Sequence, residues 1–187
     1  MMRANGTRSG FTLLEVCIAT GMILVVAGIS LPILQRTMQS YRISGNAKGV
    51  AHLLMLAKIR AASNFTIEAV VWDSTNSNTF STQYFKKNLS AGPYQGQLQA
   101  DSSIQPLTLS NGISHGQPPS LSSTVGADNS SSILFNSRGL PIDNSFNPIT
   151  ASQAFYFNNG TDYYAVSVSV SGTVQTWKYV DSAWVVQ

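Results

Sequence analysis

Cysteine is nearly absent. Cys17 is the only one in 187 residues. That excludes an intramolecular disulfide within the sequence, and a cysteine-based metal site would need other ligands. Charge is scarce too. Only 10% of residues are Asp, Glu, Lys or Arg, few for a cytosolic enzyme and common among exported proteins rich in β-structure. Histidine occurs twice, as His52 and His115. There is no P-loop, no G-x-G-x-x-G and no Cys/His cluster, so the usual motifs for nucleotide, dinucleotide and zinc binding are missing. The formal charge of +3 is unevenly placed. Arg3, Arg8, Arg36, Arg42, Lys48, Lys58 and Arg60 all precede Ser63, while four basic and seven acidic residues follow, so the later part is net −3. The basic balance belongs to the N-terminal segment and not to a basic globular surface. The length accommodates one domain plus an anchor.

What is present is a long apolar run, "RSGFTLLEVCIATGMILVVAGISLPIL", from Arg8 to Leu34. Within it stands Glu15, and no other acidic residue occurs before Glu68. Four readings compete. A secretory signal would have an apolar region of about 7–15 residues and a small-residue cleavage site. Here Val16 to Leu34 is 19 residues and ends without an A-x-A. A lipoprotein signal fails because Cys17 precedes the apolar run. An ordinary membrane helix fits, since about 20 apolar residues span the hydrocarbon core. Arg3 and Arg8 would then hold the N-terminus in the cytoplasm, with Cys17 as a small apolar residue facing lipid or a neighbouring helix. That reading leaves Glu15 unexplained, because a carboxylate at the centre of a membrane helix costs roughly 2.5–3.5 kcal/mol.

The fourth reading accounts for it. Gly10-Phe11-Thr12-Leu13-Leu14-Glu15, behind a short basic leader, resembles the processing site of type IV pilins and the related pseudopilins of type II secretion. The resemblance implies that a membrane peptidase removes residues 1–10, cutting between Gly10 and Phe11, and that the new amine of Phe11 is methylated. Glu15 becomes the fifth mature residue. A buried carboxylate is far less costly when paired than when alone. In an assembling filament Glu15 would pair with the terminal amine of a neighbouring subunit. Pro32 falls at mature position 22, where pilin helices commonly carry a proline. It lacks a backbone donor and is expected to bend or locally melt the helix.

Residues 11–34 are thus expected to form a transmembrane and assembly helix, and 35–64 its amphipathic continuation. Met38, Tyr41, Ala47, Val50, Leu54, Ala57 and Ala61 follow a three-and-four spacing that predicts a buried stripe. Gly45 and Gly49 weaken the helix by roughly 1 kcal/mol each against Ala. From Phe65 the helical period is gone, and 65–187 reads as a β-rich soluble domain. "FTIEAVVW" and "TFSTQYF" are strands, and "IQPLTLSNGIS" is a weaker one ending in an Asn-Gly turn. Gly116 to Ser132 is rich in Ser, Gly and Pro and predicts an exposed loop. "SILFNSRGLPID" and "QAFYFNNG" are strands with turns. In "YYAVSVSVSGTVQTWKYV", Val166, Val168 and Val170 alternate with Ser167, Ser169 and Ser171, which predicts one buried and one wet face, then a hairpin at Ser171-Gly172. "AWVVQ" adds an edge strand. The expected class is α+β: a long N-terminal helix packed on a C-terminal antiparallel sheet domain.

The segment from Ser132 to Tyr179 resembles the minor pilins and pseudopilins of the GspH/FimT type. Together the two resemblances imply a non-enzymatic subunit of a type IV pilus or type II secretion filament, without a cofactor. They imply an inner-membrane anchor followed by a periplasmic or surface filament. The implied partners are other pilin or pseudopilin subunits, the prepilin peptidase and the inner-membrane assembly platform. The alternative is a pilus-tip subunit that takes up DNA. Some FimT-like members bind DNA through an arginine-rich motif after the last glycine turn. The corresponding stretch here is "GTVQTWKY", with Lys178 as its only base. Lys86, Lys87, Arg138 and Lys178 are the only Lys or Arg residues after the helix, and DNA affinity is dominated by phosphate neutralisation, so nucleic acid is disfavoured.

Catalytic patterns are weaker. Gly112-Ile113-Ser114-His115-Gly116 matches G-x-S-x-G, but that motif needs a strand, a sharp turn and a helix. "QPPSLSS" follows instead, and the only histidine besides His115 is His52. Asp128, Asp143 and Asp162 lie in polar stretches without EF-hand spacing, and solvated loop aspartates are favoured over a calcium site. The five N-x-S/T sequons, at Asn5, Asn64, Asn88, Asn129 and Asn159, are expected by chance in this composition.

Overall fold

The computed structural model describes residues 10, 12–73, 78–87, 96–116, 125–128 and 131–187. One helix, α1 (Leu13–Ser63), accounts for 51 of them. Twelve strands follow: β1 (Glu68–Asp73), β2 (Thr79–Lys87), β3 (Gly96–Ala100), β4 (Leu107–Thr108), β5 (Ser114–His115), β6 (Ala127–Asp128), β7 (Ser132–Phe135), β8 (Pro141–Ile142), β9 (Gln153–Asn158), β10 (Tyr163–Val168), β11 (Val174–Val180) and β12 (Ala183–Val186). The chain divides into two compact units, one up to Gln39 and one from Ser40 to Gln187.

In the second unit the strands form two sheets where the sequence predicts one sheet domain. The first has the order β3-β2-β1-β7-β8, with β4 beside β2; the second has β12-β11-β10-β9-β5, with β6 beside β9. All pairings are antiparallel except β6 with β9. The second half of α1 joins the sheets. Ile43, Ala47, Val50, Leu54, Ala57 and Ala61 are fully buried, three and four residues apart. They share one core with Val70, Phe80, Ile133 and Phe135 of the first sheet and Phe155, Phe157, Val166 and Val168 of the second. The expected stripe is therefore correct from Ala47 onward but begins at Ile43. Met38 and Tyr41 are exposed. Gly49 has a packing reason: a Cβ there would lie 2.9 Å from Cδ2 of Leu107.

α1 ends on a Schellman-type turn. The Thr66 N–H donates to the Ala61 carbonyl at 3.1 Å, which puts Phe65 at the position usually held by glycine. Its φ is +52°, strained for an aromatic residue.

The alternation in β10 holds only in part. Val166 and Val168 are buried, but Val170 lies beyond the strand and is exposed. Ser167 is buried, not wet. It accepts a hydrogen bond from Trp177 Nε1 at 2.7 Å, beside a separate apolar cluster of Val125, Ala154, Tyr156, Ala165 and Trp177. A further cluster, Ile67, Ala69, Phe85, Leu134 and Ile142, uses residues that alternate with core positions of the first sheet. Each sheet thus buries side chains on both faces, and a period-two reading that assigns one face to water misses this.

The stretch from Gly116 to Ser132 is not a simple exposed loop. Residues 117–124, 129 and 130 lie outside the described residues, but Val125 is buried and Gly126 accepts a hydrogen bond from the Tyr156 hydroxyl at 2.7 Å. In "IQPLTLSNGIS" only Leu107–Thr108 and the final Ser114 are strand, although Ile104, Leu109 and Ile113 all enter the core. The Asn111-Gly112 turn is present, with Gly112 at φ +83°.

Candidate functional site

In the N-terminal unit, Glu15 stands in the first turn of α1. Thr12 precedes the helix, and its Oγ1 accepts a hydrogen bond from the Glu15 backbone N–H at 3.3 Å. Thr12 and Glu15 stand at the spacing of a capping box, and a carboxylate in the first turn also suits the positive end of the helix dipole. Phe11 lies outside the described residues, as do residues 1–9; Gly10 is exposed. From Leu13 to Leu34 the large apolar side chains, among them Leu14, Ile18, Leu24 and Ile29, are exposed, and Glu15 is the only charged residue. The helix is long and apolar enough to cross a membrane. It runs through Pro32 without interruption, so local melting there is not seen. Cys17 is exposed and free.

The other sequence candidates are scattered. Lys178, on β11, holds its ammonium 5.6 Å from the centre of the Tyr164 ring, while Arg138 lies in the exposed β7–β8 turn. Ser114 and His115 are consecutive strand residues paired with Asn158 and Phe157. Consecutive strand residues point to opposite faces, so the serine and histidine do not form a nucleophile–base pair. His115 stacks among Trp72, Phe80, Phe155 and Phe157 at 4.8–6.1 Å. Burial lowers its pKa, with Asp128 opposing. His52 is exposed on α1. Asp143 caps its own turn by accepting from the N–H groups of Ser145 and Asn147. Among the described residues no group of three His, Cys, Asp or Glu side chains comes together.

A site that sequence reasoning missed lies where α1 meets the first sheet. Glu68, the first residue of β1, is 1% exposed. Its Oε2 has no hydrogen-bond partner among the described residues. It lines a cavity of about 480 Å³ together with Arg60, Asn64, Phe65, Thr66, Tyr84, Phe85 and Asp101. Arg60 is paired with Asp101 and donates to Ser103 Oγ at 2.6 Å. Burial acts to raise the Asp101 pKa, but hydrogen bonds from Ser103 and the charge of Arg60 outweigh it and hold the carboxyl below its ordinary value. Glu68 moves the other way. Burial pushes it up, the charge of Asp101 adds to that, Arg60 opposes, and the result is about 7. The signal for Glu68 resembles that for Glu15: one acid inside an apolar run, "FTIEAVVW".

Minor pilins and pseudopilins are among the solved structures similar to this chain. The minor pseudopilin EpsH of the Vibrio cholerae type 2 secretion system matches with 14% identity over 72% of this chain and 95% of its own, at a TM-score of 0.42. The type IV minor pilin FimU of Pseudomonas aeruginosa matches with 13% identity over 79% of this chain and 95% of its own, at a TM-score of 0.46. No protein-family model and no curated protein matches the chain. The α+β architecture, with the second half of α1 packed on antiparallel sheets, stands on the coordinates themselves.

Proposed function

We propose that the chain is a structural subunit, a minor pilin or pseudopilin, of a type IV pilus or type II secretion filament. The observation that carries this is Glu15: a lone carboxylate in the first turn of a helix whose following 19 residues expose apolar side chains and no charge. Such a group is costly in lipid unless something pairs with it. Residues 1–10 act as a leader cut by a prepilin peptidase, and Phe11 supplies a methylated amine. In the filament, Glu15 of one subunit pairs with that amine on another. The helix anchors the subunit in the inner membrane, N-terminus cytoplasmic, until the assembly platform draws it into a periplasmic or surface filament. The second half of α1, sealed onto the two sheets, carries the soluble domain outward. The role is non-enzymatic.

The test is Glu15→Ala in the native host. The variant inserts into the membrane as well as the parent, since it loses a desolvation cost, but it is depleted from sheared filaments. Unimpaired incorporation overturns the assignment of Glu15 as the docking group.

A further inference from the structure

The Glu68 cavity has no part in the assembly scheme, and its chemistry points to a ligand. Three features converge there. The first is charge. Arg60 and Asp101 neutralise each other as an ion pair, so an ionised Glu68 leaves the cavity with one uncompensated negative charge. The second is an unmet polar group. Glu68 lines the cavity yet is only 1% exposed, and its buried Oε2 has no hydrogen-bond partner among the described residues. A buried carboxylate in that state is held at a cost, and a cation inside the cavity relieves it. The third is the wall. Phe65, Tyr84 and Phe85 all line the cavity. Phe65 is 85% exposed on a backbone with φ +52°, an apolar ring kept in water by a strained turn. Strain of this kind persists where the surrounding structure imposes it, and it clusters at binding sites.

We propose that this cavity is a binding site for an alkylammonium or guanidinium group, whose charge pairs with Glu68 and whose apolar stem lies along Phe65, Tyr84 and Phe85. Aromatic faces attract organic cations, which favours such a group over a hydrated metal ion; no three-ligand metal cluster exists among the described residues. The groups facing Glu68 are Arg60 from α1, Asp101 after β3 and Tyr84 across the β1–β2 ladder. Phe135, its partner on β7, brings no charge. Glu68 is therefore the titrating member, half ionised near neutrality, and occupancy grows with pH. The chemistry is shared by a Lys or Arg side chain on another polypeptide and by a free polyamine.

The experiment is an NMR titration of the full chain in detergent micelles with three probes: the peptide acetyl-Gly-Arg-Gly-amide, its uncharged citrulline analogue, and putrescine. At least one charged probe produces saturable shifts at Glu68, Tyr84 and Phe85, at least tenfold tighter than the citrulline peptide. Tighter binding of the arginine peptide identifies a protein side chain as the source, and tighter binding of putrescine a polyamine. Affinity rises about tenfold from pH 6 to pH 8, following ionisation of a group near 7. Glu68→Gln keeps the fold, because it removes a buried charge, and loses both the affinity and the pH dependence. The proposal is overturned if neither charged probe binds saturably, if the citrulline peptide binds equally well, or if Glu68→Gln leaves affinity unchanged.

Discussion

The ammonium of Lys58 donates a hydrogen bond to the carbonyl oxygen of Gly172 across 2.7 Å. One side chain of α1 thereby grips the β10–β11 turn of the second sheet. The same side chain lies against Gly139 in the β7–β8 turn of the first: a Cβ on Gly139 would sit 3.2 Å from Lys58 Cγ. The turns themselves touch, since a Cβ on Gly172 would lie 2.8 Å from the Gly139 carbonyl oxygen. Both glycines have positive φ, +72° and +78°. The two glycine turns that stood out in the sequence are the places where helix, first sheet and second sheet converge.

Breaking this junction lowers stability in a graded way. Lys58→Met keeps the stem and loses a charge-assisted hydrogen bond, for about 1–2 kcal/mol. Gly172→Ala adds backbone strain and a collision with a carbonyl, for about 2 kcal/mol or more. Thermal melts of a fragment beginning at Gln35, which the account expects to fold as a soluble monomer, give the order. If Gly172→Ala proves the milder of the two, the close approach of the turns is wrong.

Strand β10 offers a register test. Val168→Asp puts an unpaired charge into the core and costs several kcal/mol. Ser169→Asp, at the turn, costs little. Ser167→Val strands the indole N–H of Trp177, which costs about 1–3 kcal/mol although the new residue is apolar. Equal melting of Ser167→Val and the parent would show that the Trp177–Ser167 bond contributes nothing.

The pH dependence of stability follows from Glu68. Its folded-state pKa, about 7, lies above the ordinary 4.5, so the fold favours the protonated carboxyl. Between those values the folded chain holds a proton that the unfolded chain has released. Its stabilising effect is complete below the ordinary value, falls as pH rises through the window, and is gone above about 7. The loss is about 3 kcal/mol at most. Melts of the Gln35 fragment from pH 5 to pH 8 show the decline, and Glu68→Gln flattens it. A wild-type curve already flat across that window contradicts the raised pKa.

Phe65 is a local conflict between sequence and backbone. Phe65→Gly relieves the left-handed strain and raises stability by about 1 kcal/mol. A clear loss of stability in a melt would mean that the aromatic ring packs more than its exposure indicates.

Much of this was legible in the residues, for physical reasons that differ from place to place. The helix followed from its three-and-four spacing, and β1, β2, β7 and β9–β12 from short apolar or alternating runs punctuated by Gly, Asn and Ser. What periodicity could not show was that Ser167 faces a second apolar cluster, because burial on that face comes from Trp177 on the neighbouring strand of the hairpin and from Val125, far away in sequence. Nor did it show that Met38 and Tyr41 stand outside the core while Ile43 starts it. The Glu68 cavity is assembled from α1, β1, β2 and the turn after β3, a convergence that only the fold creates. Glu15 was legible because a carboxylate in an apolar run needs a reason wherever it occurs.

The central claim is that Glu15 serves a chain whose mature N-terminus is Phe11. Intact-mass spectrometry of the protein isolated from filaments of its native host tests this most directly. The expected species is a chain that begins at Phe11 and carries one added methyl group. A filament-borne chain that retains Met1 to Gly10 would contradict it.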